Sequence, residues 1–293
     1  MNELIDNKKG RFSNLIIFLS IFVIFVVIGS VLSIIISKSS FFENLNYINN
    51  LKLTQLVLSL FIFILPSIFF SFIINKNPLS YFHLNKTANL KVLLLVFLFC
   101  LFIIPVINYL SELNNSISFG ERYKSIEMSL RSNEKNAEEI SKMFLSSTTL
   151  LGFFINILII AIIPAIGEEL FFRGTIQKLL QNISNNHHLA ILLTGLIFGL
   201  VHFQFFSLVP RIILGIYLGY LFYWFNSLWV PILSHFLNNF LVVLYSYCVN
   251  IGILSESFVV WENNKIVITL IHLFLSFVIL FIVYKNKEKL SEL

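Results

Sequence analysis

The chain has 293 residues, of which 57% are hydrophobic and only 12% are charged. Soluble domains contain about 25% charged residues, so this composition excludes a soluble protein and indicates an integral membrane protein. The net charge of +5 comes from 20 basic and 15 acidic residues. The basic residues lie mostly in terminal segments and loops, as membrane topology determinants do, and not in a cluster that nucleic acid would require. The expected environment is therefore the lipid bilayer, with no nucleic-acid partner.

Eight apolar runs are long enough to be transmembrane helices. The first has about 24 residues, more than the apolar core of a signal peptide. We predict an all-α, polytopic membrane helix bundle of about eight transmembrane helices, with the active site in its C-terminal half. The predicted spans are residues 14–37, 52–75, 91–111, 147–166, 189–206, 208–226, 228–249 and 265–284. The spans 189–206 and 208–226 are expected to be short or tilted.

The even number of spans places both termini on one side of the membrane. The count of Lys and Arg, once the polar loop 113–146 is set aside, favours cytoplasmic termini; it includes Lys8, Lys9 and Lys289. The composition, rich in Ile, Asn, Lys and Phe, is typical of a low-GC bacterium, so we expect a bacterial cytoplasmic membrane. The second half of the loop, residues 133–144, has an amphipathic pattern that predicts a surface helix. This segment is either a solvated connector or a gate for the substrate.

The chain is expected to have three parts with different contents. These are a transmembrane scaffold with the polar loop (1–146), a core with polar motifs in its spans (147–249), and a C-terminal loop, transmembrane helix and basic tail (250–293). Small-residue pairs at Gly195–Gly199 and Gly215–Gly219 predict close helix contacts in the core. Cys100 and Cys248 lie in apolar runs and are interpreted as packing residues, not as a disulfide.

Glu168, Glu169 and Arg173 are the first polar motif of the core. Ionisable residues at membrane depth are costly and indicate a functional site. Glu169 and Arg173, four residues apart, share a helix face, whereas Glu168 points about 100° away. A buried ion pair between helices would explain Glu169 and Arg173 but not Glu168. We therefore predict that Glu168 is the reactive carboxylate, and that Pro164 and Gly167 loosen the helix beside it.

Two further motifs lie in later spans. Phe198 and His202 share a helix face, as do His235 and Asn239. Each pair alone also fits a structural role, as a hydrogen-bonded histidine or a polar clasp between helices. Together with Glu168 they supply a base, two imidazoles and an amide, the groups that activate a water and stabilise an oxyanion. Two histidines and a carboxylate would also suit a hydrolytic zinc site.

The order EExxxR, FxxxH and HxxxN resembles the CAAX protease and bacteriocin-processing family, also called CPBP or Abi, over residues 147–249. Its members are multi-pass intramembrane endopeptidases, including enzymes that trim prenylated CAAX proteins. The resemblance implies that Glu168 is the general base, that His202 assists it, and that His235 and Asn239 complete the catalytic site, with Asn239 stabilising the oxyanion. It implies structural support of the site by Glu169, Arg173 and Phe198.

The resemblance leaves the cofactor open. The family is commonly labelled metalloprotease, and a metal-free glutamate mechanism is also argued for it. If a metal is present, its ligands would be Glu168, His202 and His235, and Zn²⁺ is the expected ion. The HExxH pattern of soluble zinc proteases does not occur in the sequence, so such a site would be assembled from separate helices.

We predict an intramembrane endopeptidase that cleaves a peptide or protein substrate, lipidated or plain, near the cytoplasmic membrane surface. At about 1.5 Å per residue, Glu168 would lie about 32 Å along its span, and His202 and His235 about 20 Å and 10 Å from the cytoplasmic side. These depths converge only if spans are tilted or their boundaries shift. We expect a cavity open to the cytoplasmic half; an opening on the side of loop 113–146 would contradict the orientation or the span count.

Two other classes of function fit parts of the sequence. A non-enzymatic membrane immunity or peptide-binding protein would use the same polar cavity without turnover. The three motifs are intact in this sequence, which argues against this class. A proton or ion transporter would also place Glu and His in spans, but the sequence has neither inverted repeats nor paired broken helices. The oligomeric state has no signal in the sequence.

Overall fold

The computed structural model describes residues 8–39, 46–86, 89–255 and 265–287. These residues form helices and turns without any strand, which confirms the predicted all-α class. Seven of the described helices are long and apolar enough to cross a membrane, as a polytopic bundle requires. Lys289 and most of the basic tail lie outside the described residues, as does the loop segment 256–264.

The main helices are named here in chain order. They are α1 (Lys8–Lys38), α2 (Tyr47–Asn75), α3 (Leu90–Asn115), α4 (Lys124–Leu145), α5 (Leu150–Ser184), α6 (His187–Leu200), α7 (Leu208–Phe225), α8 (Trp229–Asn250) and α9 (Lys265–Lys285). Short helical turns lie between them at Pro78–Tyr81, Glu121–Tyr123 and Phe205–Ser207. Wider π-helical turns interrupt α2 at Leu60–Ile64 and α5 at Ile157–Ile162 and Phe172–Gln177.

Two predicted spans differ from the helices in the structure. α5 has 35 residues and continues well beyond the predicted end at 166, so Glu168 and Arg173 lie in its interior. The prediction ended the span early because charged residues lower the hydropathy, although Glu169 and Arg173 neutralise each other within the bundle. α6 has only 14 residues and ends at Leu200, so the predicted span 189–206 is interrupted. The expectation that this span is short is confirmed.

Both ends of the described chain lie at one end of the bundle. Arg11 in α1 donates to the carbonyl of Asn182 at 2.8 Å, at the end of α5. Tyr284, near the end of α9, packs on Trp224 near the end of α7. We call this end, with the turns 76–86, 185–186 and 226–228, the terminal face. The opposite end, with residues 116–149 and 201–207, is the loop face.

The contact between α6 and α7 depends on glycine. A Cβ atom on Gly195 would lie 2.9 Å from the backbone nitrogen of Ile216, and one on Gly215 would lie 2.9 Å from the Cα of Gly195. Side chains at these positions would push the helices apart, so the predicted small-residue contact is present. The backbone carbonyls of α7 therefore come within reach of side chains from α5.

The amphipathic segment predicted at residues 133–144 is part of α4, which lies on the loop face. Its exposed side carries i,i+4 ion pairs such as Lys142 with Glu138 at 2.7 Å. Its other side packs on the turn Phe205–Ser207 that precedes α7, where Glu134 accepts the backbone N–H of Phe206 at 2.8 Å. α4 therefore covers part of the loop face next to the end of α6.

Candidate active site

Glu169 and Arg173 form the buried ion pair predicted from their spacing. Both side chains are 0% exposed, and Nη1 of Arg173 donates to Oε1 of Glu169 at 2.7 Å. Nη2 of Arg173 donates to the carbonyl of Gly215 on α7 at 2.8 Å, and one turn later Gln177 donates to the carbonyl of Gly219 at 3.1 Å. The pair neutralises two charges that would be costly alone and joins α5 to α7.

His235 of α8 lies between the two carboxylates of α5. Its Nδ1 is 2.9 Å from Oε1 of Glu169, and because an ionised carboxylate only accepts hydrogen bonds, Nδ1 is the donor. Its Nε2 faces Oε2 of Glu168 at 3.9 Å, which is too long for a direct hydrogen bond. The sequence analysis paired Glu169 with Arg173 alone and missed this contact. Nothing in the HxxxN spacing indicates which carboxylate the imidazole will meet.

Glu168 carries the free carboxylate of the site. Its Oε2 is buried and has no hydrogen-bond partner among the residues that the structure describes. Its side chain is 13% exposed, against 0% for Glu169. Adjacent residues of a helix point about 100° apart, which is why one carboxylate is held by Arg173 and the other is open. The 3.9 Å between Oε2 and Nε2 of His235 is a spacing that one water can bridge.

Phe198, near the end of α6, contacts side chains from all three motifs. Its ring centroid lies 5.2 Å from that of His202 and 6.0 Å from that of His235. The guanidinium of Arg173 lies 4.8 Å from the same centroid, a cation–π contact. The aromatic ring thus sets the spacing between the two imidazoles and covers the ion pair.

His202 lies in the turn after α6, not on the helix itself as the sequence analysis expected. Its Nδ1 donates to the carbonyl of Phe198 at 2.7 Å, so the side chain satisfies a carbonyl at the helix end. Nε2 of the neutral ring then keeps a lone pair for another partner. Burial lowers the pKa of His202; the charge of Glu168 opposes this shift, and the charge of Arg211 adds to it.

Asn239, one turn after His235, forms a clasp between α8 and α5. Its Nδ2 donates to the carbonyl of Ile160 at 3.1 Å. Pro164 lies four residues after Ile160 and has no N–H, so it cannot supply the usual helical bond to this oxygen. Asn239 supplies a donor instead, and its own Oδ1 accepts from Asn238 at 3.2 Å. The amide keeps one further N–H, so the oxyanion role of Asn239 stays a prediction.

The described residues do not form a metal site. Within the ranges that the structure covers, no three His, Cys, Asp or Glu side chains are close enough together to hold a metal ion. Glu168 and His235 face each other, but His202 does not complete a set of three ligands with them. The geometry therefore does not fit a three-ligand zinc centre, and the zinc prediction stays a prediction.

Glu168 and His202 lie at similar depth, which the predicted span boundaries did not give. Measured from the turn 185–186 at about 1.5 Å per residue, Glu168 lies about 24 Å along α5 and His202 about 22 Å along α6. The two helices run side by side in opposite directions, so these distances bring the residues together. The longer α5 and the shorter α6 explain the similar depths, so the spans need not be tilted.

Hydrogen bonds join neighbouring turns at the terminal face. There Nε1 of Trp229 donates to the carbonyl of Leu84 at 2.9 Å, and Oγ of Ser227 donates to that of Lys86 at 2.8 Å. At the loop face, a cavity of about 490 Å³ lies beside the turn that carries His202, with Gln204 and Arg211 in its lining.

This cavity lies on the side of loop 113–146, the side whose opening the sequence analysis named as contradicting its orientation or span count. A site that opens into this cavity faces away from the side of the termini.

The comparisons with known proteins agree with the motifs. Residues 150–241 match the family described as Type II CAAX prenyl endopeptidase Rce1-like. This range runs from the start of α5 into α8 and contains every predicted site residue. Comparison with curated proteins and with solved structures gave no match. The predicted resemblance is confirmed: residues 150–241 of this multi-pass membrane protein are similar to the CAAX endopeptidase family.

Proposed function

We propose that this protein is an intramembrane endopeptidase in which Glu168 activates a water for attack on a peptide bond. The observation that carries the proposal is the buried Oε2 of Glu168, which has no hydrogen-bond partner in the described part of the chain and faces His235. An unpaired carboxylate at membrane depth is costly, and catalysis is a reason to keep one.

His235 is well placed to orient the attacking water. Its Nδ1–H is held by Glu169, so Nε2 of the neutral ring is an acceptor. A water in the 3.9 Å gap donates one O–H to Nε2 and the other to Oε2 of Glu168. The lone pairs of its oxygen then point away from both groups, toward a substrate carbonyl.

The reaction needs one proton shuttle. As the water oxygen bonds to the carbonyl carbon, a water proton passes to Oε2 of Glu168 and the carbonyl oxygen becomes an oxyanion. When the carbon–nitrogen bond breaks, Glu168 returns this proton to the leaving amine nitrogen. The products are an amine and a carboxylic acid, which ionises in solvent. A positioned base of this kind contributes about 10²- to 10⁴-fold in rate.

Asn239 and His202 each have a hydrogen-bonding group left for the substrate or the water, and they complete the proposed mechanism. We assign the oxyanion to the second N–H of Asn239, a type of contact that contributes about 10²- to 10³-fold in rate. We assign His202 to orienting the water or the substrate through the lone pair of Nε2. Glu169, Arg173 and Phe198 hold these groups in place.

The proposed substrate is a peptide segment at the membrane surface of the loop face, in a protein that is lipidated or plain. We place the enzyme in a bacterial cytoplasmic membrane. Cleavage at the cytoplasmic surface, as the sequence analysis predicted, requires in this fold that the termini lie outside. No step of the mechanism passes through Zn²⁺, because the described residues do not form a three-ligand site.

The test is cleavage of a library of prenylated and plain peptides by purified protein in detergent, with and without a chelator. Glu168→Gln should lower the rate by about 10²- to 10⁴-fold without changing thermal stability. Glu139→Gln, on the exposed side of α4, is the matched control and should keep full activity. Full activity in Glu168→Gln would refute the mechanism.

The remaining outcomes separate the alternatives. Cleavage that depends on Glu168 and stops with the chelator would establish an intramembrane metalloprotease. If no form cleaves any peptide, the protein is better explained as a non-enzymatic immunity or peptide-binding protein.

A further inference from the structure

Two segments of the chain form opposite sides of the cavity at the loop face, which are called its floor and its roof here. The floor is the turn after α6 and the first turn of α7, with Gln204 and Arg211. The roof is α4, which contributes Arg131 and Glu134. Its volume of about 490 Å³ lies within the range of small-ligand sites in proteins.

The roof is fixed by several contacts to the turn below it. Glu134 accepts hydrogen bonds from the backbone N–H of Phe206 at 2.8 Å and from the hydroxyl of Ser207. The guanidinium of Arg131 lies 4.0 Å from the centroid of the Phe206 ring. These contacts connect α4 to the segment that follows His202, so the cavity and the catalytic turn share a wall.

Most charged groups of the cavity already have partners of opposite charge. Arg131 pairs with Glu127 at 2.8 Å, and Lys135 lies 3.9 Å from Glu139. The acids Glu112 and Glu138 pair with Lys265 and Lys142.

Arg211 differs from the other cations of the cavity. Its Nη2 donates to the neutral amide oxygen of Gln204. Its Nη1 is buried and has no hydrogen-bond partner among the described residues, and none of their carboxylates lies within ion-pair distance of the guanidinium. A buried donor without a partner costs free energy, and a guanidinium has the fork geometry that suits a carboxylate.

We propose that Arg211 binds a carboxylate of the substrate peptide and so selects which segment enters the site. This inference rests on the proposed function, since it names the group that the same site recognises. The hydrogen bond from Arg211 to Gln204, two residues after His202, places the guanidinium beside the catalytic turn. A peptide held by its carboxylate at Arg211 lies along the cavity under α4, with its next residues toward Glu168.

The first experiment measures kcat/KM for one cleaved peptide sequence in three forms. These carry a free C-terminal carboxylate, a C-terminal amide, or an amide preceded by a Glu residue. The wild type should prefer a carboxylate form over the plain amide by about 10- to 100-fold, as expected for a hydrogen bond to a charged group. The preferred form tells whether the carboxylate is terminal or in a side chain.

Arg211→Gln should abolish this preference by raising KM for the carboxylate peptide to that of the amide peptide. Arg211→Lys keeps the charge and should retain part of the preference. Arg122→Gln, an exposed arginine before α4, is the matched control and should behave as the wild type. An unchanged carboxylate-to-amide ratio in a folded Arg211→Gln protein would overturn the proposal.

A binding measurement separates failure of this inference from failure of the proposed function. In the Glu168→Gln background, the carboxylate and amide peptides are titrated without turnover. Tighter binding of the carboxylate form that is lost with Arg211→Gln supports the inference even if no peptide is cleaved. Equal affinities for both forms would reject it even if the wild type is an active endopeptidase.

Discussion

Polar side chains are used differently in the first two helices and in the core around α5 and α8. In α1 and α2, hydroxyl groups donate to carbonyls of their own helix, as in Ser20 to Ile16, Ser33 to Ser30 and Ser67 to Phe63. In the core, polar groups bond across helices, as in His235 to Glu169, Arg173 to Gly215 and Asn239 to Ile160. Lys52 and Arg11 are exceptions: Lys52 joins α2 to Asn156 of α5 at 2.6 Å, and Arg11 joins α1 to the end of α5.

This difference shows in which part of the bundle polar contacts determine which helices pack together. A hydroxyl that bonds its own helix does not select a neighbouring helix, so those contacts depend on apolar packing. A side chain that bonds a distant helix leaves a buried group unpaired if the partner is lost. The scaffold should therefore tolerate loss of its polar groups, whereas the core should not.

Arg173→Met should have the largest effect on stability. It leaves Glu169 as a buried carboxylate without its cation, and such broken pairs lose about 3–5 kcal/mol. The free energy of unfolding in detergent is the measurement, and Arg122→Met is the matched control on an exposed arginine. The double variant Glu169→Gln/Arg173→Met should recover part of the loss. Equal stability of Arg173→Met and the control would contradict the role assigned to the pair.

Asn239→Ala should have the next largest effect. It removes the donor that satisfies the carbonyl of Ile160, at an expected loss of about 1–3 kcal/mol. The added change Pro164→Ala restores a backbone N–H four residues after Ile160 and should return much of this stability. Thermal unfolding of the wild type, the single variants and the double variant checks both expectations.

The same double variant tests the second role of Asn239. If this amide also stabilises the oxyanion, Pro164→Ala/Asn239→Ala is stable but stays about 10²- to 10³-fold slower than the wild type. If activity returns together with stability, the role of Asn239 is limited to its hydrogen bond between α8 and α5. Asn238→Ala, which removes the neighbouring amide, is the control for loss of side-chain volume.

Ser33→Ala should have the smallest effect, although Ser33 is nearly buried. Its hydroxyl bonds the carbonyl of Ser30 in the same helix, so the change should alter stability by at most about 0.5 kcal/mol. Thermal unfolding beside Asn239→Ala measures the difference directly. A larger loss in Ser33→Ala than in Asn239→Ala would remove the distinction between scaffold and core.

Local spacing predicted much of the site, whereas contacts between distant helices could not be predicted. The i,i+4 spacing of Glu169 and Arg173 predicted their ion pair. The direction of Glu168, about 100° away on the helix, predicted that its carboxylate would not join this pair. The carbonyl of Gly215 has no signal in the sequence, because any backbone carbonyl of α7 could have accepted Arg173. Pro164 did carry a signal: a proline inside an apolar helix implies a carbonyl four residues earlier that needs another donor.

The ends of α5 and α6 were mispredicted for a related reason. Hydropathy located the apolar runs but could not show that buried partners let α5 continue past its charges. It also could not show that His202 binds the carbonyl of Phe198 where α6 ends. Side-chain contacts determine where both helices end, and these ends change the depth of Glu168 and His202 from the predicted values.

The length of α6 has a consequence for the membrane itself. A helix of 14 residues rises about 21 Å, whereas the hydrocarbon layer of a bilayer is about 30 Å thick. Lipids beside α6 would have to thin by several ångströms to match it, a hydrophobic mismatch that bilayers accommodate at modest cost. Such thinning would let water come down to His202 at the loop face. A substrate of the proposed endopeptidase would then need to enter only part of the bilayer to reach the site.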